Sequence, residues 1–176
     1  MLSEPNNIQP NRRPRRQLDE LDLKILGELT ANGRATYAEI GERVALSAPA
    51  VHERVKRLVD QGAISGIVAR LNGPAVGKSL LSFVHVDADG WGKSQRMMRL
   101  RSFPEVEEMH SVAGDTSVIM KVRTENAHAL EQFLHQLYAL PGVRSTKSYV
   151  VLSTFEERGV QARTTQDWPE VALPED

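Results

Sequence analysis

Two short stretches of this 176-residue chain carry side chains whose types and spacing could do chemistry. The first is ALSAPAVHERVKRL, residues 45–58. Ser47 is a helix-capping residue type, and Pro49 stands in the first turn, where a missing N–H costs nothing because first-turn donors have no intrahelical partner. At about 100° per residue, Val51, Val55, Leu58 and Val59 share one side of the helix. Pro49, Ala50, Glu53, Lys56 and Arg57 project from the other, with His52 and Arg54 on the flanks. The small Ala48, Pro49 and Ala50 would let the helix end approach a surface closely, and Ser47 with the free N–H groups can meet a phosphate. Such a face fits a DNA major groove. A solvated amphipathic helix in an ordinary bundle would show the same spacing.

The second stretch is Val112-Ala113-Gly114-Asp115-Thr116-Ser117, a turn between two apolar strands. Asp115 can accept from an ammonium group, while the turn N–H groups and the hydroxyls of Thr116 or Ser117 can meet a carboxylate. An ordinary hairpin built from turn-forming residues explains the same types and is the simpler reading of the chemistry alone.

Other chemistries find little support. The five histidines stand at 52, 85, 110, 128 and 135. His128 and His135 are two helical turns apart, too far for one metal ion, while His85 and His110 fall on different predicted strands that could share a sheet face. Glu105, Glu107 and Glu108 read as solvated charge at a strand start. There is no phosphate-binding glycine loop, nucleophile elbow or His-Glu-x-x-His pattern. With no cysteines, disulfides, thiolate nucleophiles and cysteine-ligated zinc are excluded, which accords with a reducing cytoplasm. No apolar run reaches the roughly 18 residues of a membrane span, and the N-terminus lacks the apolar core of a secretory signal.

The elements that must position these stretches follow from periodicity. Leu18, Leu21, Ile25, Leu26 and Leu29 recur at helical spacing, with Asp19 and Asp22 at the positive helix end. Asn32-Gly33 stops this helix, and Thr36 with Glu39 forms a capping box for a second, apolar at Ile40 and Val44. The third begins at Ser47 and ends at Gln61-Gly62. Three helices, the last two joined by a short turn, make a helix-turn-helix. Residues 64–71 read as a strand and Asn72-Gly73-Pro74 as a hinge. Beyond it come a strand at 80–88, a short helix at 92–102 with core methionines Met97 and Met98, strands at 106–113 and 117–123, a helix at 126–140 and a strand at 143–152. The order β-α-β-β-α-β is the ferredoxin-like arrangement.

Charge divides along the same line. Residues 12–70 carry 11 Lys/Arg against 8 Asp/Glu, and residues 71–176 carry 11 against 14. A polyanion partner is therefore expected at the front, where Arg12-Arg13-Pro14-Arg15-Arg16 forms either a phosphate-seeking arm or a solubilising tail. The expected organisation is a basic arm at 1–17, a helix-turn-helix at 18–63, a linking strand and hinge at 64–79, a ferredoxin-like domain at 80–154 and a loose tail at 155–176.

Four motifs, LDELDLKILGELTANGRAT, AEIGERVALSAPAVHERVKRLVDQGAISGIVARLN, VAGDTSVIMKVRT and LPGVRSTKSYVVLST, in this order, resemble the Lrp/AsnC family, the feast/famine regulators of bacteria and archaea. The resemblance runs from Leu18 to about Thr154. It implies an α/β (α+β) chain with an N-terminal winged helix-turn-helix, a linking strand and a C-terminal ligand-responsive ferredoxin-like domain. Family members bind double-stranded DNA, pair through their C-terminal sheets into homodimers, and often assemble further into octamers or other rings. Small effectors, typically amino acids, bind between dimers near the turn matching Gly114 and Asp115, which makes Gly114, Asp115, Thr116 and Ser117 the expected effector site.

Carried over by position, Ser47, Ala48, Pro49, Ala50, Glu53, Arg54 and Arg57 form the expected DNA-binding surface, with Arg54 and Arg57 on phosphates. The chain departs from the pattern in two places. Ala45 stands where the turn after the second helix often has glycine, and Ala48 and Ala50 replace polar residues common at the helix start. A regulator with no catalytic residues, cofactor or metal, acting in the cytoplasm with no membrane contact, is the expected function. The alternative is an AsnC-like enzyme such as a sirohaem decarboxylase subunit, with His85 and His110 as its first candidates. The outward face of residues 47–57 speaks against that.

Overall fold

The structure is a computed structural model that describes residues 17–89 and 97–162. Described residues up to Ala69 belong to one compact unit and Arg70–Glu157 to a second. The expected arginine arm at 12–16, the front of the expected helix at 92–102 and the tail beyond 162 lie outside the described residues.

In the first unit, α1 (Glu20–Ala31), α2 (Tyr37–Val44) and α3 (Ala48–Asp60) follow the three expected periodicities. Each start is chemically marked. The Asp19 carboxylate accepts the Asp22 N–H at 2.8 Å while the Asp22 carboxylate accepts the Asp19 N–H at 3.2 Å, a reciprocal cap on α1. Thr36 and Glu39 do the same for α2, at 2.7 and 3.2 Å. Ser47 caps α3 through the Ala50 N–H, with Pro49 in its first turn. Ile25, Ile40, Val44, Val51, Val55 and Leu58 form the buried core. Val59, expected on the buried stripe, is 49% exposed. It lies some 80° round the helix from Leu58's neighbour Val51, past the edge of the core.

The turn between α2 and α3 is tight. Ala45 adopts the left-handed conformation at φ 56° and ψ 47°, and its N–H donates to the Gly41 carbonyl. The Leu46 N–H donates to the same oxygen at 2.9 Å. Two donors on one carbonyl stop α2 and turn the chain toward α3, in the manner of a left-handed C-cap.

In the second unit, β1 (Leu80–Ala88), β2 (Val106–Ser111), β3 (Val118–Thr124), α4 (Ala127–Tyr138) and β4 (Val143–Val150) reproduce the expected order, with ends shifted by up to two residues. A 3-10 helix at Met97–Ser102 occupies the described part of the short helical segment. The sheet runs β2-β3-β1-β4 and every described pairing is antiparallel. Val84, Val86, Val118, Met120 and Val122 alternate onto one face, where Leu100, Leu130, Phe133 and Leu137 cover them. Met98, expected in this core, is instead exposed.

Two expectations require correction. Residues 64–71, read as the linking strand, form no strand among the described residues. A strand requires a neighbour for its N–H and C=O groups, and none of the four described strands pairs with this segment. Ile67, Val68 and Leu71 are accordingly exposed. Glu157, placed in a loose tail, is anchored: its carboxylate pairs with Lys121 and with Arg123, the latter at 3.0 Å.

Candidate DNA-binding face and effector turn

The outer side of α3 is open. Ser47, Pro49, His52, Glu53 and Lys56 are exposed, and Ala48 and Ala50 are half-buried. Small side chains at the helix start leave room for a backbone or a groove floor to come close, and the first-turn N–H groups point there. His52 stacks against Tyr37 at the start of α2, with ring centroids 5.4 Å apart.

Arg54 and Arg57, expected on phosphates, are paired here with carboxylates of the α1 start. Arg54 Nη1 lies 2.7 Å from an Asp19 oxygen and 2.8 Å from Asp22 Oδ1. Arg57 Nη2 lies 2.6 Å from the same Asp22 oxygen. The Asp22 side chain is only 4% exposed, so these guanidiniums supply its compensation. Hydrogen bonds from Arg54 and then from the Asp22 N–H hold the Asp19 carboxyl below its ordinary range. Asp19 and Asp22, which sequence reasoning saw only as helix-end charges, thus belong to the face. The signal was present in the matched three-residue spacings of Asp19/Asp22 and Arg54/Arg57.

At the other candidate site, Gly114 and Asp115 are exposed at the tip of the β2–β3 connection. The two hydroxyls beside them are already occupied. Thr116 Oγ1 donates to the Val86 carbonyl at 2.9 Å, and Ser117 Oγ pairs with the Ala88 N–H and carbonyl at 3.3 Å. These bonds fasten the turn to β1, so Thr116 and Ser117 set its shape while Gly114 and Asp115 stay exposed. Concavities of about 800 Å³ along α4, about 560 Å³ beside β2 and about 550 Å³ beside Arg123 and Glu157 include none of Gly114, Asp115, Thr116 or Ser117.

The sheet face opposite α4 carries Phe83, His85, Lys121, Arg123 and Tyr149. His85 packs against Tyr149 at 4.9 Å. It shares a register row with His110 across Ile119, as the strand reading allowed, but His110 turns to Glu108 at 3.2 Å. No group of three metal-binding side chains occurs among the described residues. Arg123 bridges Glu107 at 2.6 Å and Glu157. Burial alone would raise the Glu107 carboxyl, yet hydrogen bonds from Arg123 and Lys121 bring it below its ordinary range.

Comparison with known proteins gives one consistent picture. Residues 18–59 match the AsnC-type helix-turn-helix domain, and residues 82–161 match the Lrp/AsnC ligand binding domain. The chain is 40% identical over 139 residues to the HTH-type transcriptional regulator LrpA of Mycobacterium tuberculosis, covering 78% of this chain and 92% of that protein. It is 34% identical over 154 residues to the leucine-responsive regulatory protein of Escherichia coli, covering 85% and 94%. Among solved structures, a transcriptional regulator of Neisseria meningitidis in complex with L-Met superposes with a TM-score of 0.74 at 30% identity, covering 81% of this chain and 94% of that one.

Proposed function

The chain belongs to the Lrp/AsnC family of DNA-binding transcriptional regulators, and from that premise we propose how its own residues do the work. It is a regulator with a ligand-binding domain, and its curated relatives are regulators too; the sirohaem decarboxylase alternative is set aside. In the proposed mechanism the start of α3 enters the major groove. Ser47 and the first-turn N–H groups meet a phosphate, while Ala48, Pro49, Ala50 and Glu53 form the surface against the bases. The observation that carries this reading is the open, small-residue N-terminus of α3, a helix whose buried residues are Val51, Val55 and Leu58.

The ligand is a small zwitterion, an amino acid by its chemistry. Its ammonium group meets Asp115 and its carboxylate meets the N–H groups around Gly114, while Thr116 and Ser117 hold the turn. Because that tip is exposed and lines none of the three concavities above, the remainder of the site comes from another copy of the chain. Phe83, 39% exposed, and Tyr149, 55% exposed, lie on the open sheet face and support a homodimer formed sheet to sheet, with higher assembly between dimers. Two recognition helices per dimer then face half-sites about one helical turn, or a multiple, apart. No helix among the described residues is long and apolar enough to cross a membrane, and we place the protein in the cytoplasm with its DNA.

A thermal-shift screen against the common amino acids tests the ligand assignment, since a ligand that binds the folded state raises its apparent stability. One or a few amino acids raise the melting temperature of the wild-type chain and not of Asp115→Ala. A screen in which none does so refutes the effector site.

A further inference from the structure

Resting on the DNA-binding reading above, we propose that Arg54 and Arg57 are positioning residues. Through Asp19 and Asp22 they fix the roll of α3 about its own axis, and so decide which side chains face the bases, and they do not themselves neutralise phosphates.

The geometry supports this in three ways. First, both guanidiniums converge on one oxygen, Asp22 Oδ1, at 2.8 and 2.6 Å. Arg54 and Arg57 are three apart and so occupy neighbouring turns on the same flank. Two consecutive turns of α3 are thereby tied to the first turn of α1. Second, turning either arginine outward to a phosphate would weaken the compensation of a carboxylate that is almost wholly buried, and a buried charge that loses its partner is strongly disfavoured. Third, the apolar anchor alone is a poor rotational stop. Val51, Val55 and Leu58 span only about 60° of the helix circumference. The ion pairs close one flank, and the His52–Tyr37 stack closes the other.

One consequence concerns charge. With Arg54 and Arg57 held by α1, Lys56 is the lysine or arginine of α3 without a carboxylate partner among the described residues. It stands on the exposed side beside Glu53. The electrostatic contact of α3 with the DNA backbone therefore belongs to Lys56 and the helix N-terminus.

Salt dependence separates positioning from phosphate neutralisation, because removing a side chain that neutralises one phosphate lowers the slope of log affinity against log salt by about 0.9. The probes are a duplex enriched from a random pool by the wild-type chain and a scrambled duplex of equal composition. Arg57→Ala is the main variant, since Asp22 keeps Arg54 in it; melting curves establish that it is folded at the assay temperature. Arg57→Ala is expected to keep the wild-type salt slope while its preference for the enriched over the scrambled duplex falls at least about fivefold, the scale of one spoiled base contact. Lys56→Ala is expected to do the reverse, its slope falling by about 0.9 with its preference kept. A drop of about 0.9 in the slope of Arg57→Ala would overturn the proposal. So would a variant with both slope and preference unchanged, whose arginine then serves stability alone. Should the wild-type chain enrich no duplex at all, the DNA-contact assignment of α3 itself fails and carries the positioning role down with it.

Discussion

A Cβ added to Gly41 would stand 2.4 Å from the carbonyl oxygen of Leu46. The turn between α2 and α3 closes so tightly on this glycine that no side chain fits, and the obstacle is backbone that cannot swing away. Gly41→Ala is therefore expected to cost about 1–3 kcal/mol, the usual range for forced overpacking. Urea unfolding followed by circular dichroism measures it, and DNA affinity should fall in step because the turn sets the approach of α3.

Ala45 gives the opposite sign. It holds φ 56°, the one non-glycine residue at positive φ among the described residues. An L-residue there costs roughly 1–2 kcal/mol, and glycine's greater freedom in the unfolded chain offsets part of the relief. Ala45→Gly should stabilise the first unit by up to about 1 kcal/mol. A shift of the urea midpoint to lower concentration contradicts this account of the turn.

Acid should loosen the helix starts. The Arg54 hydrogen bond and then the Asp22 N–H lower the Asp19 pKa from 3.8. Backbone and hydroxyl bonds with Thr36 lower that of Glu39 from 4.5. A carboxylate with a folded-state value below its unfolded one contributes stability that is full above the unfolded value and lost as pH falls through the folded value. Stability should therefore decline below about pH 4. In Arg54→Ala, carboxyl titration by NMR should show the Asp19 value moving back up. An unmoved Asp19 would mean that Arg54 does not hold it.

Thr116 and Asp115 should separate by function. Thr116→Val removes the bond to the Val86 carbonyl, at a cost of about 1 kcal/mol, and lowers the melting temperature without ligand. Asp115→Asn leaves the unliganded melting temperature near wild type and abolishes the amino-acid shift. Equal loss of stability in both variants would make the turn a structural hairpin only.

The proposed sheet-to-sheet pairing predicts that Phe83→Asp yields a smaller assembly. Light scattering should report a drop in mass with secondary structure retained. An unchanged mass would place the subunit interface elsewhere.

Periodicity made most of the fold legible. The helical spacing of Leu18 to Leu29, the Thr36–Glu39 box, Ser47 before Pro49 and the alternation in β1 and β3 are local patterns, each with one dominant structural solution. What escaped was tertiary. Nothing in residues 64–71 says whether a β-prone segment finds a neighbour, and here it finds none among the described residues. Val59 looks like its valine neighbours until the width of the core is known. On α3, residue types show the charge of Arg54 and Arg57 and not their pairing with Asp22, which lies more than 30 residues away in the chain. Glu157 was hidden in the same way, its partners Lys121 and Arg123 lying on a strand far upstream.

The entry of α3 into the major groove can be tested most directly by DNA cleavage from a single attached iron chelate. The absence of native cysteines makes Pro49→Cys a unique attachment point, and Thr30→Cys on α1 a control. From Pro49, cleavage of an enriched duplex should focus at two positions separated by about 10 base pairs or a multiple of that spacing, with none from Thr30. Focused cleavage from Thr30 and none from Pro49 would contradict the placement of α3 on DNA.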